Sequence, residues 1–532
     1  MRLQPLDLLG GCYTDDTLSW SAQDTVNWLP EIAEVNGTRT AMRLSAAPGL
    51  QLFADLSNDV IRGLHNVEGR LFVVAGPALY QVNATGQATQ IGEIPGVGRV
   101  QMAHNQINEG NQLLIANGES GGGYVWDTVK KVFTHISAAA YPGAKALAYM
   151  DSYLLQVEPF GRYWFFSGLA NATDYRTNDR MESEASPDTI VHLAVSQHEV
   201  VVFNQTTIEF FRNTGAQSGT FQNVGALIER GCASGNTVAK LDNSLFWLGD
   251  DGVVYRLDGY QAVPVSTGPI ERALAKADWE QAFAFSWEDR HHKVYCLSCP
   301  DGQTWGYDVV TRLWHRRASL GINHWRVSHL VRWNGRWIAG DLKSGKLWTV
   351  VGGTMREGDQ PIVCERVSGV LHDQQARVIA NTVELLVNAG SATSAPSPTE
   401  SATYLSSKPY PLTSDGNTLA IAVAPVSGQL RTSKITVPTL SDRLSVDVVP
   451  RGGVLRGAVT HASVPKDHSI TVSVAPRSGH LGVALKNVGV PHEAVSVAIQ
   501  PRSGVMRDAL IRTQITHSQI AIAVEPKGGT LG

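Results

Sequence analysis

Residues 163–215 read YWFFSGLANATDYRTNDRMESEASPDTIVHLAVSQHEVVVFNQTTIEFFRNTG. Four runs within this stretch, Tyr163–Ser167, Ile190–Val195, Val200–Asn204 and Thr207–Arg212, are rich in aromatic and β-branched residues, and polar turns separate them. That rhythm is expected of strands in one blade of an antiparallel sheet. Between the first run and the rest lies a polar loop, Asp174–Pro187, with four carboxylates and two arginines.

The same kind of run recurs along the chain. Its cores are Leu71, Leu113, Leu154, Val200, Leu245, Val294 and Trp337, with successive gaps of 42, 41, 46, 45, 49 and 43 residues. Most are followed by a second apolar run, such as Ala78-Leu79-Tyr80 or Lys346-Leu347-Trp348. Strand, turn and strand at this period predict four-stranded propeller blades, which bury both faces only by stacking into a ring. Glu68-Gly69, Asp251-Gly252, Asp301-Gly302 and Asn334-Gly335 mark hairpin tips. Helical periodicity is confined to residues 269–283, where a proline opens the segment.

The C-terminal region repeats on a shorter period. AIAVAPVSGQL, SVDVVPRGGVL, TVSVAPRSGHL, SVAIQPRSGVM and AIAVEPKGGTL place prolines at Pro425, Pro450, Pro476, Pro501 and Pro526, spaced 25, 26, 25 and 25 residues apart. Each unit reads as an alternating strand stopped by proline, a glycine-bearing turn and a second short strand. Such units stack as a solenoid or pack as tandem hairpins, and the pattern alone leaves both open. The expected fold class is therefore all-β: a propeller body followed by a β-rich domain of five repeats of about 25 residues. The expected domains are 1–55 as an N-terminal arm and propeller entry, 56–355 as the propeller, 356–405 as a β bridge and Ser/Pro-rich linker, and 406–532 as the repeats.

Composition sharpens the same division. All 40 aromatic residues precede position 421, and the last is Tyr410. From Ile421 onward there are 12 Lys and Arg against 6 Asp and Glu, leaving 32 against 42 in the preceding part. An acidic body offers no electrostatic grip on nucleic acid, though it suits a channel through which DNA slides. Five cysteines (Cys12, Cys232, Cys296, Cys299 and Cys364) provide no disulfide framework and fit folding in a reducing cytoplasm. Leu9-Gly10-Gly11-Cys12 looks like a lipoprotein box, but the segment before it is short and carries Asp7. No apolar run has the length of a membrane span, so no membrane anchor is expected.

Catalytic and metal chemistry find little support in the residues. Cys296-x-x-Cys299 lacks a second ligand pair, and strand alternation places the two thiols on opposite faces. Ser298–Trp305 (SCPDGQTW) resembles the Asp-box hairpin of sialidases, a structural turn of propellers. Glu182, Glu184 and Asp188 supply the acids that glycoside hydrolysis needs, but an acidic run in a polar loop more commonly forms a solvated or interface surface. With Tyr175, Arg176 and Arg180 they make up a candidate interface loop. The repeats place Arg451, Arg477, Arg502 and Lys527 at equivalent turns, a basic ladder suited to phosphate groups on a cell-surface polysaccharide, an acidic partner or DNA. The residues call for no catalytic group, metal or cofactor.

Short motifs in the region from about Asp24 to Gly390 resemble the nozzle proteins of short-tailed bacteriophages, also called packaged-DNA stabilisation proteins. They include Val26-Asn27-Trp28-Leu29-Pro30, Gly98-Arg99-Val100-Gln101-Met102-Ala103-His104, Tyr175, Glu182-Ser183, Pro187-Asp188, Thr207-Ile208-Glu209-Phe210, Gly231 and Gly340-Asp341. The resemblance implies a β-propeller subunit that assembles as a homohexameric ring below the portal and its adaptor, the head-to-tail connector. The ring would close the DNA channel, retain the packaged double-stranded DNA without sequence-specific binding, gate its ejection, and support a tail fibre, spike or needle. It also implies a non-enzymatic place in the virion tail after assembly in the host cytoplasm. The alternative is a tail protein that binds or hydrolyses host-surface polysaccharide on a propeller. The 25-residue repeats depart from the family pattern.

Overall fold

In the computed structural model the described residues are 9–14, 22–33, 42–56, 60–107, 109–118, 122–289 and 291–368, and beyond these the backbones of strands between 404 and 531. Two compact units result, Met1–Gly352 with Arg356–Ile362, and Gly353–Met355 with Val363–Gly532.

Among the described residues the first unit is built on seven four-stranded antiparallel blades, six of them with their strands in chain order. Six are continuous in sequence, covering residues 61–93, 101–135, 146–182, 190–228, 239–264 and 283–317. The seventh takes three strands from residues 327–351 and its outer strand, Gly49–Asp55, from the N-terminal part of the chain. Borrowing that strand joins the two ends of the propeller by backbone hydrogen bonds. Just before it, Ala22–Val26 runs parallel to Leu313–Arg317 along the outer edge of the sixth blade. Asn27, at φ 56, donates its side-chain amide to Ala318 O at 2.8 Å and accepts from Ala318 N at 3.1 Å. The N-terminal segment thus covers the edges of two consecutive blades, which removes exposed pairing surfaces.

Every strand core singled out by spacing is the second strand of a blade: Arg70–Ala75, Gln112–Ala116, Tyr153–Val157, Glu199–Asn204, Ser244–Leu248, His292–Ser298 and Arg336–Asp341. The cause lies in packing. Leu71, Val73 and Ala75 pack with Ile338 and Leu347 of the seventh blade, whereas Phe72 and Val74 pack with Leu113 and Ile115 of the second. Both faces of the strand are buried between neighbours, so apolar residues run continuously instead of alternating.

Two expectations need correction. The four runs in residues 163–215 do not form one blade. Tyr163–Phe166 and Arg180–Glu182 are the outer strands of the third blade, while Ile190–Ser196, Glu199–Asn204 and Ile208–Asn213 belong to the fourth. The boundary falls inside the polar loop, because Arg180–Glu182 is too short and polar to read as a strand. The helix covers only Gly268–Leu274, not residues 269–283. Trp279 folds back to donate Nε1–H to Leu274 O at 2.7 Å, satisfying a C-terminal carbonyl, and Phe283 opens the next blade.

In the second unit the described strands of the repeats pair in parallel, each sheet taking one strand from a repeat. Thr418–Val423, Arg443–Val448, Ser469–Val474, Val495–Ile499 and Ile520–Val524 form consecutive strands of one sheet, with partners such as Ile421↔Val446, Val446↔Val472, Val472↔Val497 and Val497↔Ile522. The short strands after each proline form a second parallel sheet, from Gln429–Leu430 to Thr530–Leu531, and Ala462–Ser463, Asn487–Val490 and Arg512–Ile515 a third. Parallel pairing at the repeat interval is that of a solenoid, so of the two arrangements left open by the sequence the described strands adopt stacking. The linker Gly390–Ser401 lies outside the described residues.

Candidate functional site

The loop between the third and fourth blades is held by its own polar residues. Tyr175 is buried; its hydroxyl accepts from Gln156 Nε2 at 2.8 Å and donates to Ala172 O at 2.9 Å, and burial raises its pKa. Arg180 lies 2.6 Å from Glu158 and stacks over the Tyr163 ring at 3.9 Å. Glu182 pairs with Arg162. Asp188 accepts from Thr206 N at 2.7 Å and from Thr206 Oγ1 at 2.6 Å, capping the turn between two strands of the fourth blade. Arg176, 3.8 Å from Asp174, and Glu184 are exposed.

A further acid anchors the loop. Glu209 is buried within a strand and accepts from Ser183 Oγ, from Ala185 N at 3.2 Å and from Asn223 Nδ2 at 2.7 Å. Asn204 donates to Ser183 Oγ at 2.8 Å. The sequence contained a signal for this role: a single acid in the apolar run TIEFF must find partners if it is buried. The loop therefore separates into an inner part stapled to the fourth blade and an outer part, Arg176 and Glu184, presented to solvent. Glu182 and Asp188 are each engaged by their own structural neighbour. Glu182 faces Arg162 and Asp188 faces Thr206, so the two acids are held by separate structural contacts and do not act as a facing pair.

The propeller axis is crossed by side chains. Gln101, on the innermost strand of the second blade, donates to Asn236 Oδ1 at the entry to the fifth blade, at 3.1 Å. Arg99 reaches from the preceding connector to Ser328 O of the seventh blade at 3.0 Å and lies 4.4 Å over the Phe283 ring of the sixth. Burial lowers its pKa to about 10, within the charged range at neutral pH. Nearby on the innermost strands, His65 Nε2 and His104 Nδ1 are 2.9 Å apart. Burial and the facing His104 push His65 down to about 3, and burial pushes His192 down to about 4, so both rings are neutral. Contacts between blades on opposite sides of the ring leave no room for a nucleic-acid duplex along this axis.

The cysteine pair is divided as strand alternation implies. Cys296 packs among Phe285, Trp325 and Trp348 on one face of the sixth blade, and Cys299 with Phe246, Trp305 and Ile270 on the other. Burial raises both thiols to about 12. The Ser298–Trp305 hairpin is structural: Ser298 and Thr304 hydroxyls lie 2.8 Å apart, and Thr304 Oγ1 accepts from Trp325 N at 2.9 Å. Among the described residues no group of three His, Cys, Asp or Glu could hold a metal ion, and no helix is long and apolar enough to cross a membrane. Arg451, Arg477, Arg502 and Lys527 lie outside the described residues.

Comparison with known proteins gives two sequence relationships. A family model described as the β-propeller of bacteriophage P22 Gp10 matches residues 4–353. The tail hub protein gp10 of Salmonella phage P22 is 24% identical over 303 residues, which cover 52% of this chain and 59% of that relative. Among solved structures, a streptogramin B lyase aligns with a TM-score of 0.41 at 10% identity, covering 56% of this chain and 96% of its own. A virginiamycin B lyase from Staphylococcus aureus aligns at 0.40 and 8% identity, covering 57% and 98%.

Proposed function

Because this chain belongs to the P22 Gp10 β-propeller family of phage stabilisation proteins, we propose that it is a structural subunit of the tail hub of a short-tailed phage. The carrying observation is that the family match extends over residues 4–353, which take in all seven blades and the strand that joins the ring. In this reading copies of the chain assemble as a ring, with six as the expected number, beneath the portal adaptor. The ring closes the DNA channel, retains the packaged genome and gates its ejection, and it seats a fibre, spike or needle. The chain does no catalysis; it takes its place in the virion tail after assembly in the host cytoplasm.

Physical observations support a structural role. Glu182 and Asp188 beside the blade 3–4 loop, and Glu209 beneath it, are committed to structural contacts, which suits a rigid surface more than bond cleavage. The crossed axis implies that DNA runs between copies and not through any one propeller. The net acidity of the chain before Ile421 would let a duplex slide past without adhering. Arg176 and Glu184 are assigned to contacts with a neighbouring copy, and the basic repeat turns Arg451, Arg477, Arg502 and Lys527 to an acidic tail partner.

The test is assembly of the purified full chain, alone and with its adaptor, followed by sedimentation and electron microscopy. Closed rings that dock on the adaptor support the reading. A chain that stays monomeric with the adaptor and releases sugar from host polysaccharide refutes it.

A further inference from the structure

The connector leading into the seventh blade, the turn after that blade's second strand and residues 357–360 enclose a pocket of about 200 Å³. Its lining includes Leu320, Ile322 and Leu342 on the apolar side, and His324, Arg326, Asp341, Lys343 and Glu357 on the polar side. The acids are already occupied. Asp341 accepts from Arg326 Nε at 2.7 Å, from Trp348 Nε1 at 3.0 Å and from Lys343 N at 2.9 Å. Glu357 accepts from Trp325 Nε1 at 2.8 Å. Arg326 is likewise committed, with its guanidinium on Asp341 and 4.7 Å over the Trp348 ring.

Two polar groups are left over. His324 is 7% exposed, and among the described residues its Nε2 has no hydrogen-bond partner. Lys343 is exposed, and among the described residues its ammonium has no carboxylate partner. A buried ring nitrogen without a partner carries a desolvation penalty that a ligand would relieve. An ammonium and an imidazole in its Nε2–H tautomer both donate, so the complementary ligand is an acceptor carrying negative charge. The apolar side calls for a short hydrocarbon stem behind that charge.

We propose that this pocket binds an alkyl carboxylate, with the charge on Lys343 and His324 and the stem against Leu320, Ile322 and Leu342. The carboxylate comes either from an acidic side chain of a second copy of this chain or from a free small acid. The surplus of Asp and Glu before Ile421 means that a second copy offers such groups. Burial and the nearby Lys343 hold the His324 ring below its ordinary value. A bound carboxylate opposes that effect and raises it.

The chemistry of the pocket is independent of the tail-hub reading; only the second-copy source rests on it. The experiment titrates glutarate into the full chain while following the histidine ring resonances by NMR, with sodium chloride at matched ionic strength as the control. The expected result is a saturable shift of the His324 signals and a higher His324 titration midpoint. Lys343→Ala, at an exposed position, should weaken the response by about tenfold, the size of one charge-assisted contact. Sedimentation in the same buffers separates the sources. If a second copy supplies the carboxylate, glutarate and Lys343→Ala both weaken self-association. If the ligand is free, self-association is unchanged while the glutarate response is weakened in the variant. A His324 signal that ignores glutarate, or that responds equally in wild type and Lys343→Ala, overturns the proposal.

Discussion

His292 joins the N-terminal hairpin to the sixth blade, and its charge should make that junction pH-dependent. The ring is 7% exposed at its side chain; Nδ1 lies 2.7 Å from Asp308 Oδ2, and Nε2 lies 3.6 Å from Glu31 Oε1. Glu31 sits on Trp28–Ile32, which pairs with Met42–Ala46, and is held there by Arg43 and Ser45. Burial opposes protonation of His292, but Asp308, followed by Glu31, outweighs it and raises the pKa. A raised folded value means the stabilisation is fully present below the ordinary histidine pKa of about 6.5, and is lost as pH climbs through the folded value. Glu31 is displaced the other way: burial opposes ionisation, but Ser45, Arg43 and His292 win. Its contribution is present above the ordinary carboxylate range and lost as pH falls through the depressed value. The junction is therefore strongest in mildly acidic solution. A hydrogen bond to a charged, buried partner contributes about 1.5–3 kcal/mol. Replacing His292 by Gln keeps a donor for Asp308 but removes the charge. It should cost about 2 kcal/mol near pH 6 and less than half of that near pH 8.5. Urea denaturation at the two pH values measures the cost, and hydrogen exchange in residues 28–32 and 42–46 locates it. An equal cost at both pH values would refute the charged clasp and leave only packing.

Gly231→Ala would place a Cβ 1.8 Å from Gln205 O and 2.4 Å from Thr206 N, so backbone must move. The expected cost is above about 3 kcal/mol, read by urea denaturation against Gly98→Ala, where nothing lies within 4 Å of the added atom and little change is expected. Glu209→Ala strips Ser183, Ala185 and Asn223 of an acceptor and should cost about 2–4 kcal/mol. Limited proteolysis should then cut within residues 183–188, and an uncut loop would show that Glu209 is not the staple. Cys232, Cys296 and Cys299, each raised to about 12, should resist thiol reagents in the native chain near neutral pH and react on denaturation. Native labelling of any of the three within minutes would contradict their burial.

The parts of the fold visible in the sequence were those where one physical cause dominates. Second strands are buried on both faces, so RLFVVAG and SLFWLG announce themselves as continuous apolar runs. Outer strands are half solvated and faded into loops, as Arg180–Glu182 did. Turns marked by glycine were legible at Glu68-Gly69 and Asn334-Gly335. Asp151-Ser152, Gln197-His198 and Asp242-Asn243 make the same left-handed pair without any glycine and were missed. The borrowed strand Gly49–Asp55 was hidden because its partner lies almost 300 residues away. At the candidate loop, the residue types indicated polarity but not partnership. Which acid faces solvent and which is a staple depends on residues distant in sequence, as Glu209 with Ser183 and Ala185 illustrates. The contacts that cross the axis, from Arg99 and Gln101, likewise exist only once the ring is closed.

The central claim, that this chain is the tail-hub element retaining the genome, is tested most directly by electron microscopy of phage particles assembled with and without it, paired with a nuclease-protection assay. Particles lacking the chain should fill with DNA, carry a tail truncated below the adaptor, and lose their genome to added nuclease. Particles that keep both a complete tail and protected DNA, and fail only at the host surface, would contradict the account and assign the propeller to host recognition.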